Sequence, residues 1–310
     1  MNDLRLSQML MHGVRLMHGG HTDQAIDVFA RVLGEAPDVS QAHAYLALCL
    51  VSRRRLHAAK LEAAQALVLD PDSEFAHMAM ASVSIAHRRF ADAEAHLEAA
   101  HALSPEDPDL HAMSAAMYTA WGKREQAMAF IRRAHAMAPD DPSILAQYGN
   151  LEFAAGRREI ARGYAERALE IDPEHVDALT LLGHCDLAAG RVEDARAHAV
   201  WALQNAPSDV GALTLLAAVK ARQSWLLGVW WRFQTWITAG SNRRAIALLV
   251  GLYLVYRAAG IALLDHGLKD GASWLSVVWL GFCVYTWSAP AIFERSIRRE
   301  LESVRLRPDY

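Results

Sequence analysis

The sequence is poor in the features that announce chemistry. It has three cysteines, Cys49, Cys185 and Cys283, far apart along the chain. That excludes a disulfide framework and offers no metal-ligand spacing, so small buried thiols are expected. An excess of basic charge is missing too. Lys and Arg number 31 against 35 Asp and Glu, for a formal net charge of −4. A nucleic-acid binder would show a concentrated basic stripe, so that class is set aside. There is no Gly-rich phosphate loop, no His-Glu zinc helix and no nucleophile elbow. No catalytic residue, metal site or cofactor is therefore expected. The opening stretch, "MNDLRLSQMLMHGVRLMHGG", lacks a basic head followed by an apolar run. It does not read as a secretory signal, and the first 220 residues or so are expected in the cytosol.

Proline is scarce, with ten in the chain, which makes its placement informative. Six prolines fall at Pro37, Pro71, Pro105, Pro139, Pro173 and Pro207, each 34 residues after the last. Alanines keep the same step at Ala25, Ala59, Ala93, Ala127, Ala161 and Ala195. A fixed period of this size marks stacked repeats. Each period holds two helical patterns split by a turn. In "PSILAQYGNLEFAAGRREIARGYAERALEIDP", Asp141 caps a helix that opens on Pro142, Gly156 breaks it, and a second helix runs on to Pro173.

This pattern resembles the tetratricopeptide-repeat family over six repeats, about residues 6–209. The small residue of the first helix is Gly13, Ala47, Ala81, Ala115, Gly149 and Gly183. The family's large residue late in the second helix survives as Phe29 and becomes Ala63, Leu97, Ile131, Ala165 and Ala199. Its early Trp is replaced by Met9, His43, His77, His111, Leu145 and Leu179. The three histidines are expected to pack where the family places Trp. A further first helix from Val210 caps the array, since a terminal repeat cannot bury its own apolar face. The expected fold is an all-α, right-handed tetratricopeptide superhelix over residues 1–223.

Tryptophan is unevenly spread, with seven of nine beyond Ser224. Trp225, Trp230, Trp231 and Trp236 crowd into "SWLLGVWWRFQTW". As a helix this segment, 224–240, suits a membrane interface, where indole is half apolar and its N–H stays wet. A hydrophobic cap over the solenoid end is the alternative. Two apolar runs follow, Ala245–Leu264 with one charge and Trp274–Phe293 with none. Each would rise about 30 Å as a helix, the depth of a bilayer core. They are expected to form a transmembrane hairpin joined by an external loop at 265–273, with a buried core hairpin as the alternative. Arg243 and Arg244 precede the first run, and Arg295, Arg298, Arg299, Arg305 and Arg307 lie in the tail, 294–310. Basic flanks stay in the cytoplasm, so both ends are expected there, in the style of a bacterial inner-membrane protein. Arg257 is the one charge within a span; it is expected to snorkel to the headgroups, to pair with a partner subunit's acid or to line an oligomeric pore.

Tetratricopeptide superhelices typically take peptides in a groove lined by their first helices. The resemblance places Leu48, Phe75, Met78, Ile85, Asn150, Phe153 and His184 along that groove. It holds no Lys or Arg, so the basic clamp some members use for acidic tails is absent. An apolar or helical segment of a protein partner is the expected ligand. The alternative lining role is inter-repeat core. The function expected is a membrane-anchored scaffold that recruits a protein or peptide, with lipid, membrane-complex subunits or self-association as further contacts. A hairpin that oligomerises into a pore is the competing reading.

Overall fold

In the computed structural model, each 34-residue period folds as a pair of helices. The structure describes residues 2–207, 209–223, 242–266, 270–271, 273–281 and 284. The helices are α1 Asn2–His18, α2 Thr22–Glu35, α3 Ser40–Ser52, α4 Leu56–Leu69, α5 Glu74–Ala86, α6 Phe90–Leu103 and α7 Pro108–Trp121. They continue as α8 Arg124–Met137, α9 Pro142–Ala154, α10 Arg158–Ile171, α11 Val176–Ala188, α12 Val192–Asn205, α13 Val210–Gln223 and α14 Asn242–Asp265. The chain divides into two compact units, Met1–Leu181 and Leu182–Tyr310.

The periodic prolines stop the second helix of each pair. Proline's ring clashes with an α-helical residue before it and pushes that residue extended. Ala36, Asp70, Ser104, Ala138, Asp172 and Ala206 all show this, with φ between −131° and −145° and ψ between 77° and 95°. New helices then start on side-chain caps. Asp141 accepts from the N–H groups of Ser143 and Ile144, and Asp107 from that of Asp109. Pro108 and Pro142 follow these caps, where a missing N–H costs nothing.

The turn inside each pair needs a left-handed residue, which is cheap only for glycine. Gly20, Gly122, Gly156 and Gly190 supply it, with φ of 76° to 83°. In the second and third repeats the same position holds Arg54 and Arg88, at φ of 58° and 59°. The turn closes identically, with Arg55 and Lys123 N–H groups donating back to the Leu50 and Tyr118 carbonyls at 2.9 Å.

Alanine makes the core. Ala25, Ala59, Ala93, Ala127, Ala161 and Ala195 are fully buried, as are Ala63, Ala165 and Ala199. Phe29, Leu97 and Ile131 fill the same late position where the core needs volume. Gly149 lets Leu181 approach so closely that an added Cβ would lie 2.5 Å from it. Gly183 stands in the same relation to Leu215 within the second unit.

The three histidines at the family's Trp position do more than pack. Nε2 of His43, His77 and His111 lies 3.0–3.1 Å from the carbonyl oxygens of Pro37, Pro71 and Pro105. Each imidazole N–H thus ties the first helix to the turn that precedes it. Nδ1 then meets Glu62 at 2.6 Å in the second repeat and His96 at 3.2 Å in the third.

The first predicted span lies wholly within α14, 24 residues long. Residues 273–281 are also helical. Tyr256 stacks on Trp279 at 4.6 Å and 12°, and its hydroxyl lies 3.3 Å from that of Ser276. The two segments therefore fold back on one another. Among the described residues no helix is long and apolar enough to cross a membrane. Of α14, side chains are described only at Tyr253–Leu263 and Asp265, short of the full span. Trp225, Trp230, Trp231, Trp236 and the tail 294–310 lie outside the described residues.

Candidate peptide-binding groove

The first helices of the early repeats lie side by side, α3 on α5 and α5 on α7. Helical spacing puts Leu48 and Val51 of α3 on one stripe, and Phe75, Met78 and Ile85 of α5 on the next. All five are half-buried. Leu48, Val51 and Phe75 pack on the core shared by the first three repeats, and Met78 and Ile85 on the core of the next. Their inner atoms are core and their outer atoms line the surface.

Phe75 is the most firmly held. Its ring centroid lies 4.5 Å from that of Tyr45, which stacks on Phe29 at 5.4 Å and 8°. Sequence reasoning missed Tyr45. It stands three residues before Leu48, and only the stacking of α3 between α2 and α5 reveals it as the support for Phe75. Further along the first unit, α9 carries Asn150, exposed, and Phe153, half-buried, one turn apart. Asn150 presents both donor and acceptor to solvent. His184 lies in the second unit, where burial pushes its pKa down and favours neutral imidazole.

Two titratable side chains of the first helices are held in their neutral forms. Burial raises the Cys49 thiol to about 11, leaving it protonated and inert. Tyr118 is pushed up to about 12 by burial and by its hydrogen bond to Glu94, at 2.5 Å. Among the described residues no group of three or more His, Cys, Asp or Glu could hold a metal ion.

Two family models, each described as tetratricopeptide repeat, match residues 3–176 and 152–219. The chain is a tetratricopeptide-repeat protein. Solved structures share its fold at low identity. A tetratricopeptide repeat protein from Parabacteroides merdae is 15% identical, with a TM-score of 0.59, covering 71% of this chain and 86% of that one. PilW, a type IV pilus biogenesis factor, is 20% identical with a TM-score of 0.52, covering 68% and 98%. PilF of Pseudomonas aeruginosa is 18% identical with a TM-score of 0.49, covering 69% and 98%. No curated protein matches the chain. The family match and the likenesses to the Parabacteroides merdae protein and PilW establish the all-α, superhelix-like repeat fold of this tetratricopeptide-repeat protein, a family whose members bind protein or peptide partners.

Proposed function

We propose that this protein is a scaffold whose repeat groove recruits an apolar or helical segment of a protein partner, and that its C-terminal hairpin tethers it to a membrane. The observation that carries the first part is the uncharged, half-buried stripe of Leu48, Val51, Phe75, Met78 and Ile85. Its outer atoms are apolar surface that a partner helix can cover, the usual logic of a helix-in-groove contact. Nothing in that stripe favours an acidic tail, since it holds no cation. No catalysis is assigned to it.

The tether rests on the two apolar runs and on what their side chains do. Leu254, Val255, Ile261, Trp274, Val277 and Leu280 are 53–70% exposed. Contiguous exposed apolar surface of this kind marks a membrane or a partner. The basic residues outside both runs support an orientation with the repeats and the C-terminus cytoplasmic, in a bacterial inner membrane. Tethering would raise the effective concentration of the groove near membrane partners, with no new contact needed.

The test is affinity capture from gently solubilised membranes. Wild type would be compared with a Leu48→Asn, Met78→Gln variant shown by circular dichroism to stay helical. A dominant partner that vanishes in the variant supports the groove. The same partners in both would move the contact elsewhere. Membrane fractionation, with protease access from each side, tests the tether and its orientation separately.

A further inference from the structure

The junctions between successive repeats should be equivalent, yet two adjacent ones differ sharply. At the junction of the third and fourth repeats, Phe90 opens α6 and Trp121 closes α7. Their rings stack at 5.7 Å and 18°. Two cations cover the pair. Lys123 Nζ lies 3.2 Å from the Trp121 ring centroid, and the Arg88 guanidinium lies 5.3 Å from that of Phe90. One repeat on, 34 residues later, Arg124 stands in place of Phe90 and Ala155 in place of Trp121. Both aromatic rings are gone, and nothing replaces them. A cavity of about 560 Å³ opens there, with Met128, Ala129, Leu151, Ala154 and Ala155 in its apolar lining.

The rim of this recess carries Arg124, Arg132 and Arg157 against a single acid, Glu125. Arg157 is paired with the buried Glu152. Among the described residues, neither Arg124 nor Arg132 is in an ion pair. The recess is thus an apolar slot of ligand-binding size with unneutralised guanidiniums at its mouth. The preceding junction shows what such a slot holds in this fold: a large ring, flat under a cation. Arginine stacks on aromatic faces as readily as lysine.

We propose that the recess between α8 and α9 is a second binding site, receiving a large aromatic side chain flanked by carboxylates on a protein partner. The ring would occupy the volume that Phe90 and Trp121 fill one repeat earlier. The carboxylates would meet Arg124 and Arg132, where charge-assisted bonds to guanidinium are strongest. The chain's own Trp-rich stretch offers indole but carries Arg232 and no acid, so its charge is wrong for this rim. The site shares no residue with the groove stripe of Leu48, Val51, Phe75, Met78 and Ile85 and does not rest on the groove reading.

The test uses the full chain in detergent, with empty micelles as the blank. The probe is a blocked pentapeptide, Gly-Asp-Trp-Asp-Gly, titrated by calorimetry. Saturable binding below about 1 mM is expected. Two variants then decide its place. Ala155→Trp refills the slot as Trp121 fills its counterpart, and Arg132→Glu keeps the slot but reverses the rim. Each is expected to weaken binding about tenfold or more. Met78→Gln, in the groove, is expected to leave it unchanged. No saturable binding to wild type overturns the proposal, as does unchanged affinity in Arg132→Glu or in folded Ala155→Trp. Loss of binding in Met78→Gln also overturns it, by placing the peptide in the groove. If Ala155→Trp fails to fold, Arg132→Glu and Met78→Gln still decide.

Discussion

The repeats and the more apolar C-terminal hairpin place their apolar side chains in opposite ways. In the repeats the alanines and leucines at the helix seams are covered; Ala127, Leu145 and Leu179 are fully buried. Among the described residues of the hairpin, several apolar side chains point outward, with Val255 66% and Trp274 70% exposed. The repeats hide their apolar surface against the next helix pair. Among the described residues of the hairpin, Tyr253 and Tyr256 pack against Trp279, while Leu254, Val277 and Leu280 stay exposed. The difference teaches that hydrophobic content alone does not define a core. What matters is whether a neighbour is supplied within the chain.

That contrast can be broken most forcefully inside the repeats. Ile131 is fully buried at the fourth repeat's centre. Ile131→Ala should cost about 2–5 kcal/mol, from lost transfer energy plus an unfilled cavity, measured by urea denaturation. The same kind of change in the hairpin should act differently. Val255→Lys replaces an exposed side chain, and on a water-facing surface it would cost under about 0.5 kcal/mol. In lipid it should cost about 2.5–3.5 kcal/mol on insertion scales and deplete the protein from carbonate-washed membranes. A Val255→Lys protein that fractionates like wild type would sink the tether.

Smaller changes sharpen the comparison from within the repeats. Arg54 holds a left-handed turn position that glycine occupies in four other repeats. Arg54→Gly should stabilise the chain by about 1 kcal/mol, because the strain is relieved without loss of a buried contact. A lower denaturation midpoint would count against that account. The smallest effect is a pH dependence. Burial, with His77 close by, holds His96 below the usual imidazole range, and Asp92 opposes this. Burial and His111 do the same for His101, helped by Arg133 and opposed by Asp107. Folded, these groups bind protons less readily than the unfolded chain does. Their stabilisation is therefore intact above about pH 6.5 and declines as pH falls below it. The melting temperature should drop between pH 7.5 and 5.5, and His96→Gln should flatten that drop.

The helix pattern of the repeats was legible in the sequence because proline and the small residues act locally. A proline silences its predecessor's helical conformation wherever it stands, so the period alone marks each break. The groove was half legible. Phe75, Met78 and Ile85 could be placed along the groove by the family resemblance, but their share of core and surface depends on contacts from other helices, as with Tyr45 and Phe29 behind Phe75. The recess at Ala155 was not legible at all. An alanine after a helix has no signal of its own; its meaning comes from Trp121 one period earlier and from Phe90, which that tryptophan faces. The carbonyl bonds of His43, His77 and His111 were missed for a related reason. Read as substitutes for an aromatic, they were credited with volume and not with a proton to donate.

Those three bonds have a consequence for how such a chain can lengthen or shorten. Each closes within its own period: His43 to Pro37, His77 to Pro71 and His111 to Pro105. The second contact of the first two, to Glu62 and to His96, stays inside the same period as well. A block cut from Pro37 to Asp70 takes its fastening with it and leaves none torn in its neighbours. Duplication or excision of one of these 34-residue units thus costs only the seams on either side, and the histidines make each of the three periods that carry one a self-latching cassette.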